Sequence, residues 1–324
     1  MRRAVSTAIE TTGRAESARP RADEPTSGRH RRTRGRESWG AFAYLLPALV
    51  VFGAFFFFPL ARSVYLSFQR SDLFGRPVGF VGVEHYADLF TDPGFGKTLA
   101  VTFGFVLLTV VPSMVLGLVL ALLLQNRIRG VRFFRTAFAL PFAFSVATAA
   151  VVFGVMLNPA TGVVNGLLSY VGAGPVGWLT EPSTALLSVA ITSVWMQVGY
   201  NLLVLSAGLG AVPDDVLEAA RLDGAAGLRL QTGVVLPLIS PQLFFLAVTG
   251  TVQALQSFGQ IHILTRGGPD RSTQTLVYSI YDVAFANNNS NFGAGSAQAI
   301  VLLVVVLAIT AFQFGVLERK VFYA

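Results

Sequence analysis

The 324-residue chain contains no cysteine. Disulfides, thiolate metal centres and cysteine nucleophiles are therefore excluded, and redox chemistry gives no reading of the compartment. Charge is scarce: 13% of residues are Asp, Glu, Lys or Arg, against about 25% in an ordinary soluble domain. There are three histidines, His30, His85 and His262, too scattered for a metal-ligand spacing. No Gly-x-Ser-x-Gly elbow occurs, and the apolar stretches hold no paired carboxylates. Gly94-Phe-Gly96-Lys97-Thr98 looks like the end of a phosphate-binding loop, but Thr91 stands where the first glycine of that pattern is required.

What is abundant is apolar surface. Hydrophobic residues make up 53% of the chain and the mean hydropathy is +0.61, which points to lipid as solvent. A membrane span needs roughly 20 apolar residues. Six stretches qualify, at about 41–66, 98–124, 136–157, 184–209, 234–258 and 295–317. None contains Asp, Glu or Lys, and the one formal charge, Arg62, lies near the end of the first, where it can snorkel to the interface. The reading is an all-α membrane protein of six transmembrane helices.

Basic residues orient it. Residues 1–37 hold ten arginines against five acids and too little apolar surface to offset chain entropy, so they read as a disordered basic tail. Such a tail before a first span is an orientation signal and a contact for anionic membrane lipid; a nucleic-acid partner is not expected. With the N-terminus inside, the tail, Arg127, Arg129, Arg132, Arg135, Arg221, Arg229, Arg319 and Lys320 place 18 basic residues on the cytoplasmic side and leave 6 outside. Both termini are therefore expected in the cytoplasm. Asn288-Asn289-Ser290, formally a glycosylation sequon, reads as a polar turn in an outer loop. Residues 38–324 form one transmembrane domain, with Pro112, Pro141, Pro237 and Pro241 as candidate bends.

The loop between the fourth and fifth spans, 210–237, carries the richest local signal. Pro213 suits a first helical position, and Asp214 and Asp215 complement the positive end of a helix dipole. Val216 to Leu222 are good helix formers, and Gly224 can end the helix in a left-handed cap. A second short helix can start near Gly227 and run to Leu236-Pro237. Ala219 and Ala220 leave a thin face that another protein can approach, and Glu218 and Arg221, three apart, offer it charge.

Glu218-Ala219-Ala220, three residues, Gly224, nine residues, then Val234, one residue, and Leu236-Pro237 resembles the EAA loop of ABC importer permeases. Phe80-Val81-Gly82 with Tyr86, Asn158-Pro159 with Gly162, Trp195 with Gln197 and Tyr200-Asn201, and Gly267-Gly268-Pro269 with Thr273, Thr275 and Tyr278 look like the carbohydrate-uptake class. Phe258-Gly259-Gln260 and the ending Glu318-Arg-Lys-Val-Phe-Tyr323 look most like its glycerol-3-phosphate type. The resemblance covers nearly everything from residue 41 onward and implies the type I importer permease fold. It gives an ATPase-coupling role to Glu218, Ala219, Ala220, Arg221, Asp223, Gly224, Leu236 and Pro237. It also implies a second permease subunit, two ATPase subunits that carry ATP and Mg, an extracytoplasmic solute-binding protein and a bacterial plasma-membrane location. No catalytic residue, metal or cofactor is expected in this chain.

Uncharged polar residues inside the spans are candidates for the substrate path: Gln197, Tyr200 and Asn201 in the fourth, Gln253 and Gln256 in the fifth. Amides donate and accept, which suits a polyol. Gln197 and Asn201, four apart, are expected to share a face. The same groups could instead hydrogen-bond between helices. An ion-coupled secondary transporter and an intramembrane enzyme are the other classes open to such a chain. The first usually keeps ionisable groups in the membrane, and the second needs a catalytic pair that is not found here.

Overall fold

A computed structural model describes residues 44–72, 74–125, 130–286 and 291–322. The basic tail 1–37, Arg127, Arg129, the sequon at Asn288 and the terminal Tyr323 lie outside the described residues. The chain divides into two units, 1–57 and 58–324. Helix α1, Tyr44–Ser67, begins in the first, where its apolar side chains, among them Phe52, Phe55 and Phe56, are exposed.

The second unit carries the rest. A small hairpin, β1 (Gln69–Ser71) and β2 (Pro77–Phe80), pairs Gln69 with Phe80 in antiparallel register, so the fold is mainly rather than wholly helical. Then follow α2 (Glu84–Thr91), α3 (Pro93–Leu123), α4 (Val131–Ala139), α5 (Val146–Met156), α6 (Val163–Tyr170) and α7 (Pro182–Gly210). Next come α8 (Asp214–Leu222), α9 (Gly227–Leu238), α10 (Ser240–Leu255), α11 (Gly259–Leu264), α12 (Leu276–Ala286) and α13 (Phe292–Val316). The expected outer loops are thus partly built: 67–97 holds the hairpin and α2, 158–183 holds α6, and 259–294 holds α11 and α12.

Four helices, α1, α3, α7 and α13, are each long and apolar enough to cross a membrane. The expected third and fifth spans are bent pairs instead. Val131–Ala143 meets α5 at 101° and α9 meets α10 at 69°, so six spans result only if each pair counts as one. The breaks have local causes. Leu140–Ala143 is a single 3-10 turn around Pro141, after which Ser145 turns extended and caps α5 by accepting from the Thr148 N–H at 3.1 Å. At the second break Pro241 has no N–H to offer the Pro237 carbonyl four residues back. The Ser240 hydroxyl donates to that carbonyl instead, at 2.6 Å. Pro112, by contrast, is absorbed within an unbroken α3.

Two boundaries differ from the sequence reading. Helix α3 starts at Pro93 because the Asp92 side chain caps it, accepting from the Gly94 N–H at 2.8 Å. It therefore begins five residues before the expected apolar stretch and takes in Lys97. Arg132 and Arg135, taken as loop, sit on α4.

The main internal seam is between α3 and α7. Along this seam Gly117 faces Asn201: a Cβ at residue 117 would lie 2.6 Å from the Asn201 Cβ. Small residues at membrane helix contacts allow such approach. Toward the end of this seam, Ala121 of α3, its C-cap Leu124, and Leu202, Leu205 and Leu209 of α7 form one buried cluster with Leu217, Leu230, Val235, Ile239 and Leu246. The Gly117→Leu substitution is expected to lower the thermal midpoint of the purified protein through about 1–3 kcal/mol of overpacking. Gly96→Leu, in the same helix with open space around it, should leave the midpoint nearly unchanged in the same melt.

Candidate functional site: a surface helix pair and an uncharged cavity

Two places gather the residues singled out from the sequence. The first is the helix pair α8–α9. Pro213 is the N-cap of α8 in extended conformation rather than its first helical residue; Asp214 and Asp215 do fill the first turn. Gly224 takes φ +82°. The Ala225 N–H then reaches the Ala220 carbonyl at 2.9 Å and the Gly224 N–H reaches that of Arg221 at 3.0 Å. This pair of bonds is the Schellman closure, which satisfies carbonyls left open at a helix end. Asp223 is the C-cap.

One face of this pair is anchored. Leu217, Leu230 and Val235 are buried in the cluster with the ends of α3 and α7, and Ala220, Ala225 and Leu236 pack against its edge. Ala220 therefore turns inward, and of the two alanines only Ala219 is exposed. Glu218, Arg221, Asp223, Gly224 and Pro237 are exposed as well. Glu218 and Arg221 make no ion pair with each other or with any other described residue. The sequence reading missed two neighbours, Leu222 at 89% and Leu228 at 82% exposure. The exposed side of the pair thus offers charge of both signs beside two bare leucines, held on a base that is itself packed.

The second place is a cavity of about 510 Å³ bounded by the α4–α5 break, α7, the end of α10 and the start of α11. Gln197, Tyr200, Gln253 and Gln256 line it. The Gln197 amide donates to Gln253 Oε1 at 3.1 Å, so part of its polarity already spans α7 to α10. Asn201 does not line it: it is 3% exposed and faces α3 at Gly117. The four-residue step that was expected to keep Asn201 with Gln197 carries it about 40° round the helix, enough to pass from cavity to seam.

Several lining residues were not foreseen. Helix α10 ends at Leu255 and α11 restarts at Gly259, which folds Phe258, Gly259 and Gln260 back toward α7. The Gln260 amide then donates to the Ser193 hydroxyl at 2.9 Å. Phe142 and Phe144, from the α4–α5 break, close the other side, with Phe142 against the Tyr200 ring at 5.2 Å between centroids. All of these depend on helix breaks, which span-length hydropathy does not register. Among the described residues no Asp, Glu, Lys, Arg or His lines this cavity. It is suited to an uncharged, hydroxyl-bearing moiety held by amides and aromatic faces. Among the described residues no group of His, Asp and Glu could hold a metal ion.

Comparison with known proteins places both features in context. Residues 95–323 match the family model described as binding-protein-dependent transport system inner membrane component. The sn-glycerol-3-phosphate transport system permease protein UgpA of Agrobacterium fabrum is 40% identical over 285 residues, covering 86% of this chain and 96% of that relative. The protein of the same name from Pectobacterium atrosepticum is 35% identical over 291 residues, covering 89% and 97%. A chain from the crystal structure of a bacterial alginate ABC transporter, in complex with alginate pentasaccharide-bound periplasmic protein, superposes with a TM-score of 0.77. It is 24% identical, with 88% of this chain and 96% of that chain covered, a likeness of fold. The matched region contains the α8–α9 pair and the whole cavity lining, and the chain belongs to the inner membrane components of binding-protein-dependent transport systems, the permease subunits of ABC importers.

Proposed function

We propose that this chain forms half of the translocation path for sn-glycerol 3-phosphate or a closely related polyol phosphate, and that the α8–α9 pair transmits the work of ATP hydrolysis to it. The observation that carries the coupling role is the two-sided character of that pair. Leu217, Leu230 and Val235 fix it to the ends of α3 and α7, while Glu218, Arg221, Leu222 and Leu228 face outward. A protein docked on the outer side moves the ends of two long helices with it, because packed clusters shift as units. The partners are a second permease subunit, two ATPase subunits that bind ATP and Mg on the cytoplasmic side, and a solute-binding protein outside. The excess of Lys and Arg before α1, around α4 and after α13 supports cytoplasmic termini, which put the α8–α9 surface within reach of the ATPases. The names of the relatives support the substrate.

Reconstitution of the four-part complex tests the coupling. Glu218→Lys reverses a charge in the docking surface, and Gly224→Asp places a side chain at φ +82° where the helix pair reverses. Like-charge juxtaposition at an interface costs several kcal/mol, so each variant is expected to lower uptake at least about tenfold while the protein still inserts and solute-independent ATP hydrolysis persists. Full uptake by both variants overturns the assignment.

The cavity has its own test. Met196 lines it from α7, and Met196→Trp fills space a solute needs. Uptake is expected to fall at least about tenfold with normal assembly of the complex. Unchanged uptake removes the cavity from the path.

A further inference from the structure

The uncharged cavity leaves the phosphate of such a substrate without a partner on this chain, and a second, smaller cavity supplies one. It measures about 180 Å³ and lies in the segment between α11 and α12. Arg266, Arg271, Gln274, Tyr278 and Asp282 line it, over the backbone of Gly267. Two arginines thus line it with one aspartate, and the Arg271 guanidinium also lies against Gly94 beside Asp92 at the start of α3. Among the described residues neither arginine side chain makes an ion pair or a hydrogen bond. The neighbouring acid, Asp270, is already held by Lys97 at 2.9 Å.

Two neutral polar side chains line the same space. Tyr278 is 6% exposed, and its hydroxyl has no hydrogen-bond partner among the described residues. Gln274 is 5% exposed, its Oε1 acceptor is buried without a partner, and its NH2 donates to no described residue. Buried polar groups without partners are uncommon and costly. Burial, and after it the charges of Asp282 and Tyr281, push the Tyr278 phenol above its ordinary range, with Arg266 acting the other way. It is therefore a neutral donor throughout the physiological range.

The backbone is bent to present these groups. Arg266, Asp270 and Arg271 adopt φ of +50°, +47° and +55°, a region that costs a non-glycine residue roughly 1–2 kcal/mol. Gly267, at φ +80°, has no Cβ because one would sit 2.7 Å from the Tyr278 ring. Strained positions persist where the surroundings over-determine them, and they cluster at ligand clamps.

We propose that Arg266, Arg271, Tyr278 and Gln274 form an outer oxyanion site that takes the phosphate group of a soluble phosphate monoester before it enters the uncharged cavity. The proposal rests on the substrate class given above. Guanidinium groups match phosphate oxygens in a bidentate fork; the phenol and the amide nitrogen add neutral donors for a third oxygen. The linings of the two cavities touch. Phe258 lines the uncharged one and its ring stacks on that of Tyr278, which lines the charged one, with centroids 5.9 Å apart. A phosphate captured beside Tyr278 is therefore one aromatic layer away from the path.

The test uses the full complex in sealed proteoliposomes with the outer face outward and no binding protein, titrated from outside with inorganic phosphate. Phosphorus NMR line broadening reports binding, and the ATPase sites inside are out of reach of the added ion. Wild type is expected to broaden the phosphate signal. The Arg266→Gln/Arg271→Gln variant should bind at least about tenfold more weakly, as loss of charge-assisted hydrogen bonds requires, with the double Lys variant recovering part of the affinity. Equal broadening by wild type and the Gln variant overturns the site. So does a change confined to the lipid phosphodiester signal, which assigns the arginines to headgroups. So does a defect seen only as weaker binding-protein affinity with the phosphate titration unchanged, which assigns them to protein docking. A wild-type complex that binds phosphate here but does not take up sn-glycerol 3-phosphate overturns the substrate reading and leaves the site standing.

Discussion

Burial of Leu217 against the ends of α3 and α7 is the contact on which the functional geometry depends. Without it, α8 would be an exposed nine-residue helix, too short to persist alone in water. With it, Leu230 and Val235 of α9 join the same cluster, which continues through Ile239 and Leu246 into α10. A surface feature and a membrane-embedded helix thus share one packed interior. Interiors of this density transmit displacement rather than absorb it. The Schellman closure at Gly224 completes the arrangement by letting the chain reverse without leaving carbonyls unpaired.

The transport cavity follows from a different constraint, the placement of residues that interrupt helices. Pro141 with Ser145 turns the chain between α4 and α5, and Pro241 with Ser240 turns it between α9 and α10. In each case a serine hydroxyl satisfies a backbone group at the break. Irregular backbone at membrane depth is tolerated where protein or a cavity surrounds it. Here the α4–α5 break faces the polar end of α10 across α7, and the space between them is lined by amides, a serine pair and aromatic rings. Charge is kept out of this space and gathered instead between α11 and α12. A dipolar solute, charged at one end and hydroxylated at the other, matches that division.

Much of this was legible in the residues, and the misses have physical reasons. Continuous apolar runs revealed α1, α3, α7 and α13, since length and hydropathy are what a bilayer demands. The helix, glycine and second helix at 214–238 were legible because Asp214, Asp215 and Gly224 act locally. The break at Ile239 was legible as a candidate bend in Pro237 and Pro241, which flank it; its 69° angle was not, because it is set by packing on either side. Asn201 reads from the sequence as a candidate for the substrate path because spacing alone cannot say which of two adjacent faces meets Gly117. The fold-back of Phe258 to Gln260 and the φ values of Arg266, Asp270 and Arg271 arise from tertiary packing, so no local pattern announces them.

The absence of native cysteine makes one measurement direct. Spin labels at Leu222→Cys on α8 and Leu123→Cys at the exposed end of α3 report the distance across the shared cluster in the assembled complex. If α8 and α3 move as one body, that distance is the same in the nucleotide-free and ATP-bound states, while a label pair between α8 and the second permease subunit changes. A shift of several Å between Leu222 and Leu123 on ATP binding, with the second pair unchanged, would contradict rigid coupling through Leu217.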